Sequence, residues 1–206
     1  MTSRSGERAA HWEQVYSDGD TGRSWYQSRA EASMDLIGRA HGAKAGVIDV
    51  GGGASTLVDD LLRAGWTDLT VLDIAESGLQ IARQRMADRA AEVTWIAADL
   101  LEWAPSRHYA VWHDRAVLHF LTGSQLERYR QVQLSATRPG SAVVLGVFGP
   151  GGPSRCSGLP VQRYDAEALI SFLGPGFDLV DQERQLHRTP AGGTQEFQWI
   201  SAVRTA

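Results

Sequence analysis

Short, nearly uninterrupted apolar runs alternate along this chain with longer stretches whose apolar residues recur at helical spacing. Lys44 to Val50, Leu69 to Asp73, Val93 to Ala97, Tyr109 to Trp112 and Ser141 to Phe148 read as five strands. The fifth is almost wholly apolar, as a central strand covered on both faces should be. Between them, Ala54 to Ala64, Glu76 to Arg89 and Ser124 to Thr137 read as helices, with Leu57, Leu61 and Leu62 on the buried side of the first and Leu79, Ala82 and Met86 on that of the second. A further helix, Ala30 to His41, precedes the first strand, shows Met34 and Ile37 on one face, and stops at Gly42. Such alternation predicts βαβ units in an α/β fold with a mostly parallel sheet.

Both ends depart from this rhythm. After the fifth strand, Gly149 to Pro160 is a long loop, and Asp165 caps a helix running to about Phe172. Phe177 to His187 and Gln195 to Val203 then form a hairpin, hence an antiparallel edge. At the start, Trp12, Tyr16, Trp25 and Tyr26 are spent around the Asp- and Gly-rich loop Ser17 to Gly22, outside any strong helical or strand period. Aromatics placed this way predict a lid over a pocket or a docking of the segment onto the core. Residues 1–29 are therefore expected to be a lid-like segment and residues 30–206 one domain.

Ligands of open parallel sheets bind at the carboxyl ends of the strands. The first strand breaks there into Gly51-Gly52-Gly53, whose backbone can take positive φ and let a neighbour come close. Asp73 ends the second strand 24 residues after Asp49, near the spacing of about 20 at which an acidic residue meets a ribose. Asp99 and His113-Asp114-Arg115 lie at the ends of the next two strands, on the same rim. The dinucleotide pattern G-x-G-x-x-G would need glycine where Thr56 stands, and no Walker Gly-Lys-Ser/Thr is present, so phosphate-bearing cofactors and nicotinamide oxidoreduction are disfavoured. An adenosine ligand without phosphates needs a glycine turn, a carboxylate for the ribose and a polar group for the adenine amine. Asp73 and Asp99 offer the last two.

Composition changes this picture by exclusion. The 206 residues suit one domain, and 43% hydrophobic with 21% charged residues is ordinary for a globular protein. A net charge of −4 with pI near 5.8 offers no basic stripe, so nucleic acid is not an expected partner. The single Cys156 allows no internal disulfide and no Cys-rich metal site. His113, Asp114, His119 and His187 come from separate segments without metal spacing, so no metal is expected. The polar start shows no signal-peptide core and no run approaches the roughly 18 apolar residues of a span, which predicts a cytoplasmic protein with no membrane partner.

On these residues the chain resembles the class I S-adenosylmethionine-dependent methyltransferases. The motifs are Asp49-Val50-Gly51-Gly52-Gly53, Asp73, Ala98-Asp99-Leu100, Asp114 at the fourth strand's end and Arg138-Pro139-Gly140 before the fifth. The resemblance implies a Rossmann-like sheet of seven strands, the last antiparallel, with helices on both faces. It also implies S-adenosyl-L-methionine as cofactor, held by Asp49, Gly51, Gly52, Gly53, Asp73, Ile74, Asp99, Leu100 and Asp114. The Asn/Asp-Pro-Pro-Tyr motif of amino-group DNA and protein-glutamine methyltransferases is absent after the fourth strand, which points to a small-molecule O, N or S acceptor. A protein lysine acceptor and a non-catalytic cofactor-binding partner stay open as alternatives, as do monomer and homodimer.

On the acceptor side the sequence offers candidates with plain structural readings beside them. His113 and His119 are the candidate general bases, since imidazole titrates near neutral pH, or are structural histidines. Asp114 and Arg115 either pair with neighbours or serve the acceptor. Trp25 and Tyr26 are candidate acceptor contacts. Arg155, Arg163 and His187 form a cationic mouth for an acidic substrate or are solvated surface charge.

Overall fold

In the computed structural model, which describes residues 4–17 and 22–206, the apolar runs form one seven-stranded sheet. In chain order the elements are α1 (Arg4–Tyr16), α2 (Glu31–Ala40), β1 (Val47–Val50), α3 (Leu57–Arg63), β2 (Leu69–Asp73), α4 (Glu76–Met86) and β3 (Val93–Ala97). They continue with β4 (Val111–Arg115), α5 (Ser124–Ala136), β5 (Ala142–Phe148), β6 (Arg155–Cys156), β7 (Leu159–Pro160), α6 (Ala166–Leu173), β8 (Phe177–Arg188) and β9 (Thr194–Arg204). The sheet order is β3-β2-β1-β4-β5-β9-β8, with β1 to β5 parallel and β9 antiparallel to both its neighbours. This is the predicted Rossmann-like topology, with the last strand reversed and inserted between β5 and β8.

Strand alternation sorts the core into two layers. Val47, Val71, Val111 and Val144 face α2 and α3, while Ile48, Leu72, Trp112, Val143 and Leu145 face α5 and α6. Every residue of β1, β2 and β5 is buried, which explains why those strands were so clear in the pattern. Asp165 caps α6 as expected, accepting from the Ala168 amide at 2.8 Å. Among the described residues, no helix is long and apolar enough to cross a membrane.

Several expectations change. The aromatic opening is a helix: Ser5, Arg8, Trp12 and Tyr16 fall at three- and four-residue steps, one face of α1. The period was missed because that face is polar and aromatic rather than aliphatic. Met1 to Ser3, part of the polar start, and Asp18 to Thr21, part of the Asp- and Gly-rich loop, lie outside the described residues. The helix placed at Glu76 to Arg89 ends at Met86, where Ala87 takes φ 50°, and a 3-10 turn covers Ala87–Glu92. His113-Asp114-Arg115 belong to β4 itself, which begins at Val111 rather than Tyr109. The long loop after β5 is partly folded into the β6–β7 hairpin.

Candidate active site

The glycine turn after β1 is fixed by its surroundings. Gly51 and Gly53 have φ of 65° and 36°, and the Gly51 amide donates to Leu72 O at 2.7 Å, tying the turn to β2. A Cβ on Gly51 would stand 2.0 Å from Val117 Cγ2, and one on Gly53 would stand 2.2 Å from the Tyr16 hydroxyl. The room the glycines leave is thus filled by the protein's own side chains. Asp49, buried beneath the turn, accepts from His113 Nδ1 through Oδ1 and leaves Oδ2 without a partner.

Each neighbouring strand ends in a carboxylate that caps its own exit. Asp73 accepts from the Ala75 amide at 2.8 Å, and Asp99 from the Leu101 amide at 2.9 Å. Asp73 is buried, and that desolvation, reinforced by the negative charges of Asp49 and Glu13, pushes its carboxyl up to about 7 against the pull of the backbone amides. Ser5 and Arg8 both reach Asp99 Oδ2, the hydroxyl at 2.7 Å.

Those contacts bring α1 over the rim as a roof. Glu13 caps α4, taking the Glu76 and Ser77 amides at 2.7 and 3.3 Å where α4 has no capping side chain of its own. Trp12 packs edge-on against Phe120 and Trp25, with ring centroids 5.1 and 6.4 Å away. Beneath the roof lies a cavity of about 600 Å³. One end is walled by Gly51, Asp73, Ile74, Asp99 and Leu100, the other by Arg115, Val117, Phe120, Cys156 and Pro160, with Trp12 and Trp25 overhead. A smaller space beside the turn touches Asp49, Gly52, Tyr26 and Arg115.

The structure brings together only part of the anticipated acceptor machinery. His113 is buried between Asp49 Oδ1, 2.7 Å from Nδ1, and the Ser33 hydroxyl, 2.9 Å from Nε2. A carboxylate only accepts, so Nδ1 carries a proton, and neither nitrogen faces the cavity. His119 lies between the rings of Phe120 and Phe148, and its Nδ1 accepts from the Phe148 amide at 3.4 Å. Burial, and then the charge of Arg115, pushes His119 down to about 3, so it stays neutral at physiological pH and off the cavity wall. Neither histidine is placed as a general base.

Asp114 departs from both roles expected of it. It is fully buried on the α5 side, accepting from Tyr129 Oη at 2.7 Å and from the Val117 and Leu118 amides at 2.8 and 3.1 Å. Burial first of all raises its carboxyl to about 6. It shapes the turn that places Val117, and it does not touch the cavity. The cationic mouth is not assembled either. Arg155 donates to Gly158 O and Arg163 to Pro150 O at 3.2 Å, so each braces loop backbone, while His187 sits 2.8 Å from Ser24 O and supports the segment before Trp25. None of the three lines the cavity. Arg115 and Trp25 do, and Tyr26 reaches only the smaller space.

Sequence reasoning passed over several wall residues. Arg8 and His11 were hidden in a helix it did not recognise; the four-residue steps from Arg8 to Tyr16 were the available signal. Cys156 faces inward because strand alternation in β6 turns Arg155 out.

A reversed last strand beside five parallel ones, a glycine turn after β1 and acidic exits from β2 and β3 define the class I methyltransferase fold. Residues 47–140 match the model of a family described as a methyltransferase domain. Among solved structures, one concerned with conversion of a disulfide bond into a thioacetal group during echinomycin biosynthesis is 17% identical, covers 96% of this chain and 93% of its own, and has a TM-score of 0.75. An S-adenosylmethionine-dependent methyltransferase from Anabaena variabilis is 18% identical over 96% of this chain and 95% of its own, with a TM-score of 0.72. The Burkholderia thailandensis 1,6-didemethyltoxoflavin N1-methyltransferase, with its substrate and S-adenosylhomocysteine bound, is 21% identical over 99% and 92%, with a TM-score of 0.73. No curated protein matches.

Proposed function

We propose that this methyltransferase takes S-adenosylmethionine as its methyl donor and a small molecule with an apolar body as its acceptor. The observation that carries the reading is the cavity itself, whose one end gathers Gly51, Asp73 and Asp99 from three successive strand ends. Its volume of about 600 Å³ falls within the range of about 300–1,000 Å³ common for small-molecule sites. The residues fit the cofactor on physical grounds. A buried carboxyl raised to about 7 is relieved by hydroxyl donors, which a ribose supplies, and Asp49 Oδ2 is a buried acceptor lacking a donor. Asp99 keeps a free lone pair on Oδ1 for an amine after accepting from Leu101.

The cofactor would supply an electrophilic methyl group on a sulfonium. The chain's contribution is alignment, which can lower a bimolecular barrier by roughly 7–11 kcal/mol. Val117, Phe120, Pro160 and the two tryptophans exclude water from the acceptor end. An acceptor that must lose a proton meets one imidazole on the wall among the described residues, His11, whose Nε2 is buried without a partner. The α1 roof fits the lid expected of residues 1–29, because it closes over both ends of the cavity. The substrate and S-adenosylhomocysteine held by the toxoflavin enzyme support the small-molecule reading, and no observation favours a protein lysine acceptor. Calorimetric titration with S-adenosylmethionine and S-adenosylhomocysteine tests it: micromolar binding is expected, and no binding at millimolar ligand overturns it.

A further inference from the structure

Arg115 is the one charged side chain at the acceptor end of the cavity, and its guanidinium is buried without a counter-ion among the described residues. Nη1 donates to Trp25 O at 2.9 Å. Nε and Nη2 are buried and have no hydrogen-bond partner. The guanidinium carbon lies 4.7 Å from the centroid of the Phe197 ring, so one face is covered by an aromatic and the free edge remains. Two adjacent N–H groups on a planar cation match the two oxygens of a carboxylate, the arrangement that gives guanidinium its strongest pairings.

A buried guanidinium is costly in an apolar setting unless an anion meets it. Among the described residues none supplies that anion. Asp49 is near enough to be felt, yet it is hydrogen-bonded to His113 and forms no ion pair with Arg115. Cys156, on the same wall, is held by burial toward its thiol form. With no described carboxylate paired to it, a ligand is a ready source of negative charge, and the segments around Arg115 are those of the acceptor end.

We propose that Arg115 is an anion receptor for the methyl acceptor, so that the substrate class is a small molecule with an apolar or aromatic body carrying a carboxylate or comparable anionic group. The proposal rests on the reading of this cavity as a methyltransferase site and narrows it. The anion is seated by the unpartnered Nε–Nη2 edge, which is covered in the ligand-free protein and is uncovered as the ligand enters, while the Trp25 carbonyl holds Nη1. The apolar body lies against Val117 and Phe120. The cofactor's own carboxylate is chemically equivalent, and Arg115 also borders the smaller space beside the glycine turn, so the test must separate the two sources.

The experiment is a calorimetric titration of the full chain saturated with S-adenosylhomocysteine, using benzoate and its uncharged isostere benzamide as probes. Benzoate is expected to bind at least about tenfold more tightly than benzamide, the advantage of one charge-assisted pairing. Equal binding of the two, or no benzoate binding, overturns the proposal on the unaltered protein alone. In Arg115→Gln the preference is expected to vanish while affinity for S-adenosylhomocysteine stays within about twofold, and in Arg115→Lys part of the preference should persist. If Arg115→Gln instead weakens S-adenosylhomocysteine at least about tenfold and spares 5′-methylthioadenosine, which lacks the carboxylate, the anion is the cofactor's and the proposal falls. Failure of the parent to bind S-adenosylhomocysteine would defeat the cofactor reading instead. Benzoate and benzamide are therefore also compared on ligand-free protein, where the receptor stands or falls independently.

Discussion

The two ends of the cavity are built by different means. The glycine end comes from three consecutive strand exits on a continuous stretch, and each carboxylate there, Asp73 and Asp99, is anchored by an amide two residues further on. The acceptor end is gathered from α1, the segment at Trp25, the exit of β4 and the β6–β7 hairpin, which meet only through tertiary packing. One end is a property of local sequence on rigid strands; the other is a property of the assembled chain. Asp114 shows how narrow the difference is. It is the third carboxylate at a strand exit and caps its turn in the same way, yet the alternation of β4 turns it toward Tyr129 and away from the cavity.

That contrast is easiest to break at Asp114. Asp114→Ala strands the Tyr129 hydroxyl and two buried amides, and is expected to cost roughly 3–5 kcal/mol in denaturant unfolding while leaving cofactor affinity nearly unchanged. A variant that keeps its stability and loses cofactor would return Asp114 to the site. Asp73→Ala should do the reverse: about 10- to 100-fold weaker S-adenosylhomocysteine binding by calorimetry, with a small change in stability. If it binds like the parent, Asp73 does not meet the ribose.

The pH dependence of the same carboxylate is next in size. Without ligand, folded Asp73 holds its proton to about pH 7, whereas an unfolded aspartate releases it near about 3.9. The native state binds the extra proton across that window, so Asp73 makes stability fall as pH rises through it. Ribose donors favour the ionised form, so cofactor affinity should rise by up to about tenfold between about pH 6 and pH 8, with proton release detectable by titrating in buffers of different ionisation heat. A flat affinity profile contradicts this. Smaller still, Ala116→Gly, at φ 77° where β4 leaves the sheet and on the cavity wall, should raise the unfolding midpoint by the equivalent of about 0.5–1 kcal/mol, read by thermal or denaturant unfolding. Arg8→Ala removes a partly exposed pair with Asp99 and should change stability by less than about 1 kcal/mol, a test of whether α1 holds the roof by packing rather than charge.

The fold was legible where burial is complete. Leu69 to Asp73 and Val93 to Ala97 were placed to the residue, and the glycine turn was found with its two acidic neighbours, because these features repeat a local rule: an apolar strand, then a polar exit. What the pattern could not carry was orientation. It placed His113 at a strand end, but whether that ring meets solvent, ligand or Ser33 of α2 depends on a contact 80 residues away. It counted Arg155 and Arg163 as a mouth, but a loop's positive charge says nothing of inward direction until a hairpin forms, and the hairpin turns in Cys156. It saw the aromatics of α1 without their helix, since an amphipathic face made of Ser5, Arg8, Trp12 and Tyr16 acquires its meaning only against Asp99 and Trp25.

The α1 roof also bears on how fast the site can fill. Arg8 and Ser5 hold the carboxylate at the far end of the cavity, while Glu13 ties the same helix to α4. Association that levels off at high ligand concentration would show that this helix lifts before the site fills; a rate that keeps rising with concentration would show that the site fills past it.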